Sequence, residues 1–372
     1  MLKILHILST TSKSFGDMSV IMNYYKHVDL NKIYFDFATM LEHQDKLDKD
    51  ISDLGGRVFH FNKPKSLNDI KFSIKTIRNI VETNNYDIVH LHVPVLHSIV
   101  KKAIKGLGVK LIIHSHSTKL STSAFGKIRN YFLTRGVSKS TNGRWACSVK
   151  AAKTLFGQNW GSNDGDCLIN NAIDLKDFSN NKNEYVNIRR NFGLKDDTMA
   201  ICHVGRFNKE KNHYRLIDVF AEINTKIQNS VLFLIGDGPL KIEIMNYVNK
   251  KNLKDKVFFM GLCNNVSKVI VGMDVFILPS LFEGLSLSLI EAQAAGLLCF
   301  CSDNCVKDSA VTNNLTRISL KISDEEWANI IINKYLAGWN RNTSEMISSM
   351  GYNIELESIK LIDKYEDVYN NA

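Results

Sequence analysis

The sequence predicts two α/β domains in tandem, each a doubly wound parallel sheet covered by helices. Three observations carry this. The 372 residues exceed one ordinary core and fit two domains of about 150–200 residues. Short apolar runs alternate with longer helical patterns through both halves, as parallel strands joined by crossover helices require. Between the halves, a polar stretch rich in Asn and Lys, residues 170–197, interrupts the rhythm.

In the first half the strand-like runs are residues 3–8, 33–39, 57–61, 86–91, 110–113, 144–147 and 167–169. In the second they are 199–204, 231–235, 256–260, 274–278, 298–301 and 315–320. The boundary is expected near residues 174–184, giving a first domain over 1–175 and a second over 185–353. A final helix over 354–372 has no strand after it and is expected to cross back onto the first domain.

Apolar residues at 44%, charged residues at 23% and only 4 prolines describe an ordinary globular chain. The seven cysteines lie mostly in apolar runs, which points to reduced core thiols in the cytoplasm. Cys301 and Cys305 have no second Cys or His pair at zinc spacing. No segment reaches the roughly 18 apolar residues of a membrane span, and the N-terminal run is too short for a signal peptide.

Net charge is +9, and its distribution is informative. Between Asp87 and Asp164 there is no acidic residue, while the same interval carries twelve Lys and Arg, from Lys101 to Lys153. Within it Phe125, Ile128, Tyr131 and Phe132 recur at helical spacing beside Lys127, Arg129 and Arg135, as in a helix lying on an anionic membrane. The alternative is a solvated basic face with its apolar stripe toward the core. Nucleic acid is excluded as a partner, because no helix-turn-helix, zinc or aromatic-platform motif accompanies the charge.

Ligands of open parallel sheets bind beyond the carboxyl ends of the strands. In the second half these ends read Gly205-Arg206 with Lys211, then Gly236-Asp237-Gly238-Pro239, then Gly261-Leu262. Arg206 and Lys211 supply two cations suited to a diphosphate, and the glycines let backbone approach a base or phosphate. The fourth end is Pro279-Ser280-Leu281-Phe282-Glu283-Gly284-Leu285-Ser286, entering a helix through Gly284 that carries Glu291. Glu283 in the turn and Glu291 in the helix can both line a pocket at the helix N-terminus, where an anion is favoured. Acids beside an anion site indicate a sugar nucleotide. In the first half the ends offer Phe15-Gly16-Asp17-Met18, His90-Leu91-His92 and His114-Ser115-His116. Alternation pairs His90 with His92 and His114 with His116, so a metal site of two His pairs is conceivable. With no carboxylate near them in sequence, no metal is expected.

Taken together, Gly205-Arg206 with Lys211, Gly236-Asp237-Gly238-Pro239, and Pro279-Ser-Leu-Phe-Glu-Gly followed by Glu291 resemble the family-4 retaining glycosyltransferases of bacterial capsular and exopolysaccharide synthesis. Residues 86–90, Asn171-Ala-Ile-Asp174 and the closing helix agree less specifically, and the resemblance covers nearly the whole chain. It implies the GT-B fold, two Rossmann-like domains facing each other across a cleft, the first binding acceptor and the second nucleotide sugar. It further implies that Arg206 and Lys211 hold the donor diphosphate and that Glu291 holds the ribose. Glu283 and His116 would face the donor sugar as catalytic residues, and Gly16 would lie near the phosphates. Gly205, Gly236, Asp237, Gly238, Gly261, Leu262, Phe282, Gly284, Leu285 and Ser286 would complete the donor site. No metal cofactor would be required, and a UDP-sugar and a lipid-linked acceptor would be the substrates. The location implied is cytoplasmic and peripheral, on the inner face of the plasma membrane through the basic block 101–153. Family members carry two adjacent glycines where this chain has Gly16-Asp17. That departure leaves open a non-catalytic partner of another transferase, and a sugar-nucleotide epimerase of the same fold is a further alternative.

Overall fold

A computed structural model describes residues 1–11, 16–41, 47–117, 124–139, 141–178, 182–263 and 265–371. The chain divides into two compact units, one of Met1–Ile173 with Ile354–Ala372 and one of Asp174–Asn353.

In the first unit seven strands form one parallel sheet: β1 (Leu2–Leu8), β2 (Ile33–Thr39), β3 (Val58–His60), β4 (Ile88–Leu91), β5 (Lys110–Ser115), β6 (Gly143–Ala146) and β7 (Asp166–Leu168), in the order β3-β2-β1-β4-β5-β6-β7. Ile4, Leu5, Ile7, Ile88, Val89, Leu91, Ile112 and Ile113 are buried, as continuous apolar strands covered on both faces must be. The closing helix Ile354–Asn370 belongs to this unit. The Ile354 amide donates to the Ile173 carbonyl at 3.0 Å, and Tyr365 lies fully buried with its ring 4.7 Å from that of Trp145. Arg144, counted in the basic block, is not a surface cation. It is buried in an ion pair with Asp166, the strand neighbour opposite it.

In the second unit six strands form a second parallel sheet: β8 (Met199–Val204), β9 (Ser230–Ile235), β10 (Val257–Gly261), β11 (Val275–Leu278), β12 (Leu298–Ser302) and β13 (Leu315–Ile318), in the order β10-β9-β8-β11-β12-β13. Its entry helix Lys182–Asn191 is fixed by a buried pair, Arg189 to Asp274 at 3.0 Å, and by Tyr185, whose hydroxyl donates to Asp274 at 2.9 Å. Asp274 therefore anchors this helix immediately before β11, although an acid heading an apolar run reads as nothing special in sequence.

Five of the seven cysteines are buried, Cys167 and Cys263 are partly exposed, and none is in a disulfide. Burial pushes the Cys147 thiol up to about 11, so it is protonated and inert. No helix among the described residues is long and apolar enough to cross a membrane.

Candidate active site

The strand order reverses between β8 and β11, so the loops after these two strands leave the second sheet side by side. The loop after β8 is shaped by Asn208, whose side chain accepts from the Lys211 amide at 3.2 Å and closes a short turn over Lys209–Lys211. The next residue, Asn212, is left-handed (φ 56°), and its side chain donates to the Pro279 carbonyl at 3.0 Å. The Leu281 amide in turn donates to the Glu210 carbonyl at 2.8 Å. These bonds stitch the two loops together.

They bring two of the expected residues into direct contact. The Lys211 ammonium lies 2.6 Å from a Glu283 carboxylate oxygen, to which the Ser280 hydroxyl also donates at 3.2 Å. Both side chains are largely withdrawn from water, at 17% and 16% exposure. Arg206 is exposed and, among the described residues, forms no ion pair. The site therefore contains one cation already matched by an acid and one open to an incoming anion.

The neighbouring strands contribute the remaining turns. At Gly236 (φ 139°) a Cβ would fall 2.1 Å from the Gly205 carbonyl oxygen, and at Gly238 (φ 158°) one would fall 2.6 Å from that of Phe207. These glycines are required for the turn after β9 to close on the loop after β8. This packing requirement stands beside close approach to a ligand, the reason sequence suggested. Asp237 is exposed, and its carboxyl is held below the usual range by Lys241 at 2.9 Å and by the Gly238 amide at 2.7 Å. Gly261 ends β10 and accepts from the Gly236 amide at 2.8 Å, with Leu262 exposed beyond it. The four turns follow four adjacent strands and so occupy one edge of the sheet.

The helix after β11 begins later than expected. It spans Leu287–Ala294, with Ser286 as an extended N-cap (φ −79°, ψ 114°) whose carbonyl accepts from Leu289 and Ile290. Phe282, Gly284 and Leu285 thus lie in the preceding loop rather than in the helix. Ser286 is buried, its hydroxyl 3.1 Å from that of Ser288, and Glu291 sits one turn inside the helix, half-buried.

In the first unit Gly16 is not in a loop. It opens the helix Gly16–Tyr25, and Asp17 sits in its first turn, where a carboxylate suits the helix dipole. The Asp17 side chain accepts from the Met18 amide at 2.9 Å. Phe15 lies outside the described residues, as do Lys119 and the side chains of Phe125 and Lys127. His90 and His114 lie inside β4 and β5 rather than after them, and the rings pair as alternation requires. His90 and His92 stack at 4.2 Å, and His114 and His116 at 4.0 Å. A fifth histidine joins them. His6 pairs in register with His90 across β1 and β4, and its Nδ1 lies 2.9 Å from His92 Nε2. Each of the two strands carries a histidine in its second half, but that they lie side by side follows only from the strand order. Burial holds His6 at about 3 and lowers His90, His92, His114 and His116, the last against the opposing charge of Asp17.

A second buried pair escaped the sequence altogether. His203 Nδ1 lies 2.8 Å from the Ile277 carbonyl, and His213 stacks on Phe207 at 4.2 Å just beneath Lys211. Burial, then Lys211, holds His213 at about 4.

The alternative of a core-facing apolar stripe on the basic helix does not hold for Ile128, Tyr131 and Phe132. In the helix Ala124–Thr134, Ile128, Tyr131 and Phe132 are 61%, 61% and 62% exposed. An open cavity of about 640 Å³ in this unit is lined by Lys101, Lys102, Lys105, Arg135 and His97.

Two parallel sheets, each reversing its strand order beside its first strand, are the architecture of the GT-B fold, with a cationic strand-end site in the second. Residues 185–354 match the model of the glycosyl transferases group 1. EpsF of Bacillus subtilis (strain 168), named as a glycosyltransferase, is 31% identical over 370 residues, covering 98% of this chain and 96% of EpsF. An Escherichia coli UDP-Gal:alpha-D-GlcNAc-diphosphoundecaprenol alpha-1,3-galactosyltransferase is 27% identical, covering 82% and 80%. The crystal structure of Anabaena HepE with UDP and glucose superposes with a TM-score of 0.80 at 16% identity, covering 98% and 100%. The chain belongs to the group 1 glycosyltransferases and is a hexosyltransferase of GT-B fold.

Proposed function

We propose that the chain is a family-4 retaining transferase that moves a sugar from UDP to a lipid-linked oligosaccharide during capsular or exopolysaccharide synthesis. The Asp174–Asn353 unit would hold the nucleotide sugar and the other unit the acceptor. The observation that carries this is the Lys211–Glu283 contact at the reversal of strand order, with Arg206 open beside it. Breaking the anomeric bond puts negative charge on the diphosphate, which Arg206, Lys211 and the helix N-terminus at Leu287 stabilise without reorganisation. Positive charge grows on the sugar, and Glu283 offsets it electrostatically. Glu291 takes the ribose hydroxyls, and His116 faces the sugar. The step needs no metal, so chelator-treated protein should keep its activity.

The E. coli relative supports the substrates by analogy, since its name states a UDP donor and a diphosphoundecaprenol acceptor. Its name also gives an alpha-1,3 product linkage. The exposed Ile128, Tyr131 and Phe132, with the cations of the neighbouring cavity, support docking on an anionic membrane at its cytoplasmic face.

The test is UDP release from a panel of UDP-sugars with lipid-linked acceptors. Release that needs acceptor is expected, and Glu283→Gln should lower it about 10²-fold while UDP still stabilises the fold. No release with any donor would overturn the proposal, and product from donor alone would indicate an epimerase.

A further inference from the structure

His92, His114 and His116 stand at the carboxyl ends of β4 and β5, and one ring nitrogen of each lies within 4.8 Å of the other two. His92 Nδ1 and His116 Nε2 are 2.7 Å apart. His114, 3% exposed, has both ring nitrogens buried without a hydrogen-bond partner. A neutral imidazole must carry a proton on one of them, and a buried N–H with no acceptor costs about 1–3 kcal/mol. Nothing in the transfer reaction calls for this orphan.

We infer that His92 Nδ1, His116 Nε2 and one ring nitrogen of His114 form a site for a borderline divalent transition-metal ion such as Zn²⁺, with a fourth position left to water. An all-imidazole set suits Zn²⁺, Cu²⁺ or Ni²⁺ and, lacking carboxylates, rejects Mg²⁺ and Ca²⁺. Three imidazoles with an open fourth position are an established zinc geometry. Metal–nitrogen bonds of about 2.0–2.1 Å in a tetrahedron put ligand atoms about 3.3 Å apart. The separations here, from 2.7 Å to under 4.8 Å, bracket that value, so ring shifts of about 1 Å complete the site.

The surroundings fit the same ion. His92 Nε2 meets His6 Nδ1 at 2.9 Å, which holds the His92 ring in place beside His116. His116 is only partly buried, and Ser117 beside it is exposed, which gives the ion a way in. The inner group of His6, His90 and His92 also meets within reach of one ion, but it is wholly buried. The outer triad is therefore the site.

The experiment uses the full chain without a histidine tag, stripped with chelator and dialysed against ZnCl₂ or CoCl₂. We expect about one Zn²⁺ per chain by mass spectrometry of the metal, tetrahedral Co²⁺ absorption bands, and no retention of Mg²⁺. His114→Leu, with folding checked by circular dichroism, should weaken Zn²⁺ binding at least tenfold. His60→Asn, which alters a separate His–Asp pair, should bind like the unaltered chain. Less than about one-tenth Zn²⁺ per unaltered chain would overturn the proposal whatever the variants do, as would full binding by folded His114→Leu. Neither result depends on whether the chain transfers sugar.

Discussion

Lys211 and Glu283 share one contact, yet their losses should not be equivalent. Lys211→Met leaves Glu283 and the Ser280 hydroxyl facing an apolar group in a site of about one-sixth exposure. Between the 0–1 kcal/mol of exposed pairs and the 3–5 kcal/mol of buried ones, a cost of about 2 kcal/mol is expected from denaturant unfolding. Adding Glu283→Leu should recover part of that loss while abolishing activity. If the double variant is less stable than Lys211→Met, the stranded carboxylate is not the cause. His213 supplies a second prediction at this scale. Its folded-state pKa of about 4 lies below the unfolded value of about 6.5, so the unfolded chain binds the extra proton. The stability it allows is complete above pH 6.5 and is lost as pH falls toward 4, by about 2 kcal/mol at pH 5. His213→Phe, which keeps the stack on Phe207 and removes two unpartnered nitrogens, should be at least as stable as the unaltered chain at pH 7.5 and exceed it by a wider margin at pH 5. Equal acid sensitivity of the two proteins would place the titrating groups elsewhere.

At the scale of elements, the helix Leu287–Ala294 is held in place by a residue the sequence hid. Gln293 is fully buried, donates to the Leu289 and Ser309 carbonyls, and accepts from the Val311 and Thr312 amides and the Thr312 hydroxyl. Gln293→Leu strands several of these groups, and at about 1–3 kcal/mol each it should cost at least 3 kcal/mol of stability. It should also weaken UDP binding by displacing Glu291 two residues earlier. The helix Ala124–Thr134 makes the opposite case, with its large apolar side chains outside. Tyr131→Ser with Phe132→Ser should leave the unfolding midpoint within about 0.5 kcal/mol, because both rings are exposed. Sedimentation with anionic liposomes should fall severalfold, and binding unaffected by the substitutions or by salt would exclude the helix as a membrane anchor. Periodicity revealed that this helix is amphipathic but not which way it faces, because an apolar stripe has the same spacing toward a core or toward lipid. The start of Leu287–Ala294 was misjudged for a related reason. Gly284 looks like a helix entry in sequence, whereas the backbone of Ser286 decides it.

For the whole molecule, thirteen strands were legible because each is a short apolar run bounded by polar turns, and their C-terminal loops identified the site through the rule for parallel sheets. What was not legible depends on strand order. The meeting of Lys211 with Glu283, and of His6 with His92, follows from β8 lying beside β11 and β1 beside β4, and neither adjacency is written in either segment alone. The division into two units, with the chain crossing between them at Ile173 to Asp174 and again at Asn353 to Ile354, carries a thermodynamic consequence. Each unit has its own sheet and its own apolar core, one around Leu5, Val89 and Ile113 and the other around Ile201, Leu234 and Ile277. Calorimetry should therefore resolve two transitions. UDP at 100 times its Kd should raise one of them by about 2.7 kcal/mol, or roughly 5–10 °C for a unit of this size, and leave the other nearly fixed. Arg206→Ala and Glu291→Ala should each shrink that shift, and Arg206→Ala should do so without moving the ligand-free midpoints by more than about 1 °C, since Arg206 is exposed. Trypsin digestion would show which transition responds, because only fragments from the Asp174–Asn353 unit should gain protection with UDP. Equal protection of both units would mean that the nucleotide is held by the two together, and the donor site would then have to be assigned to residues of both.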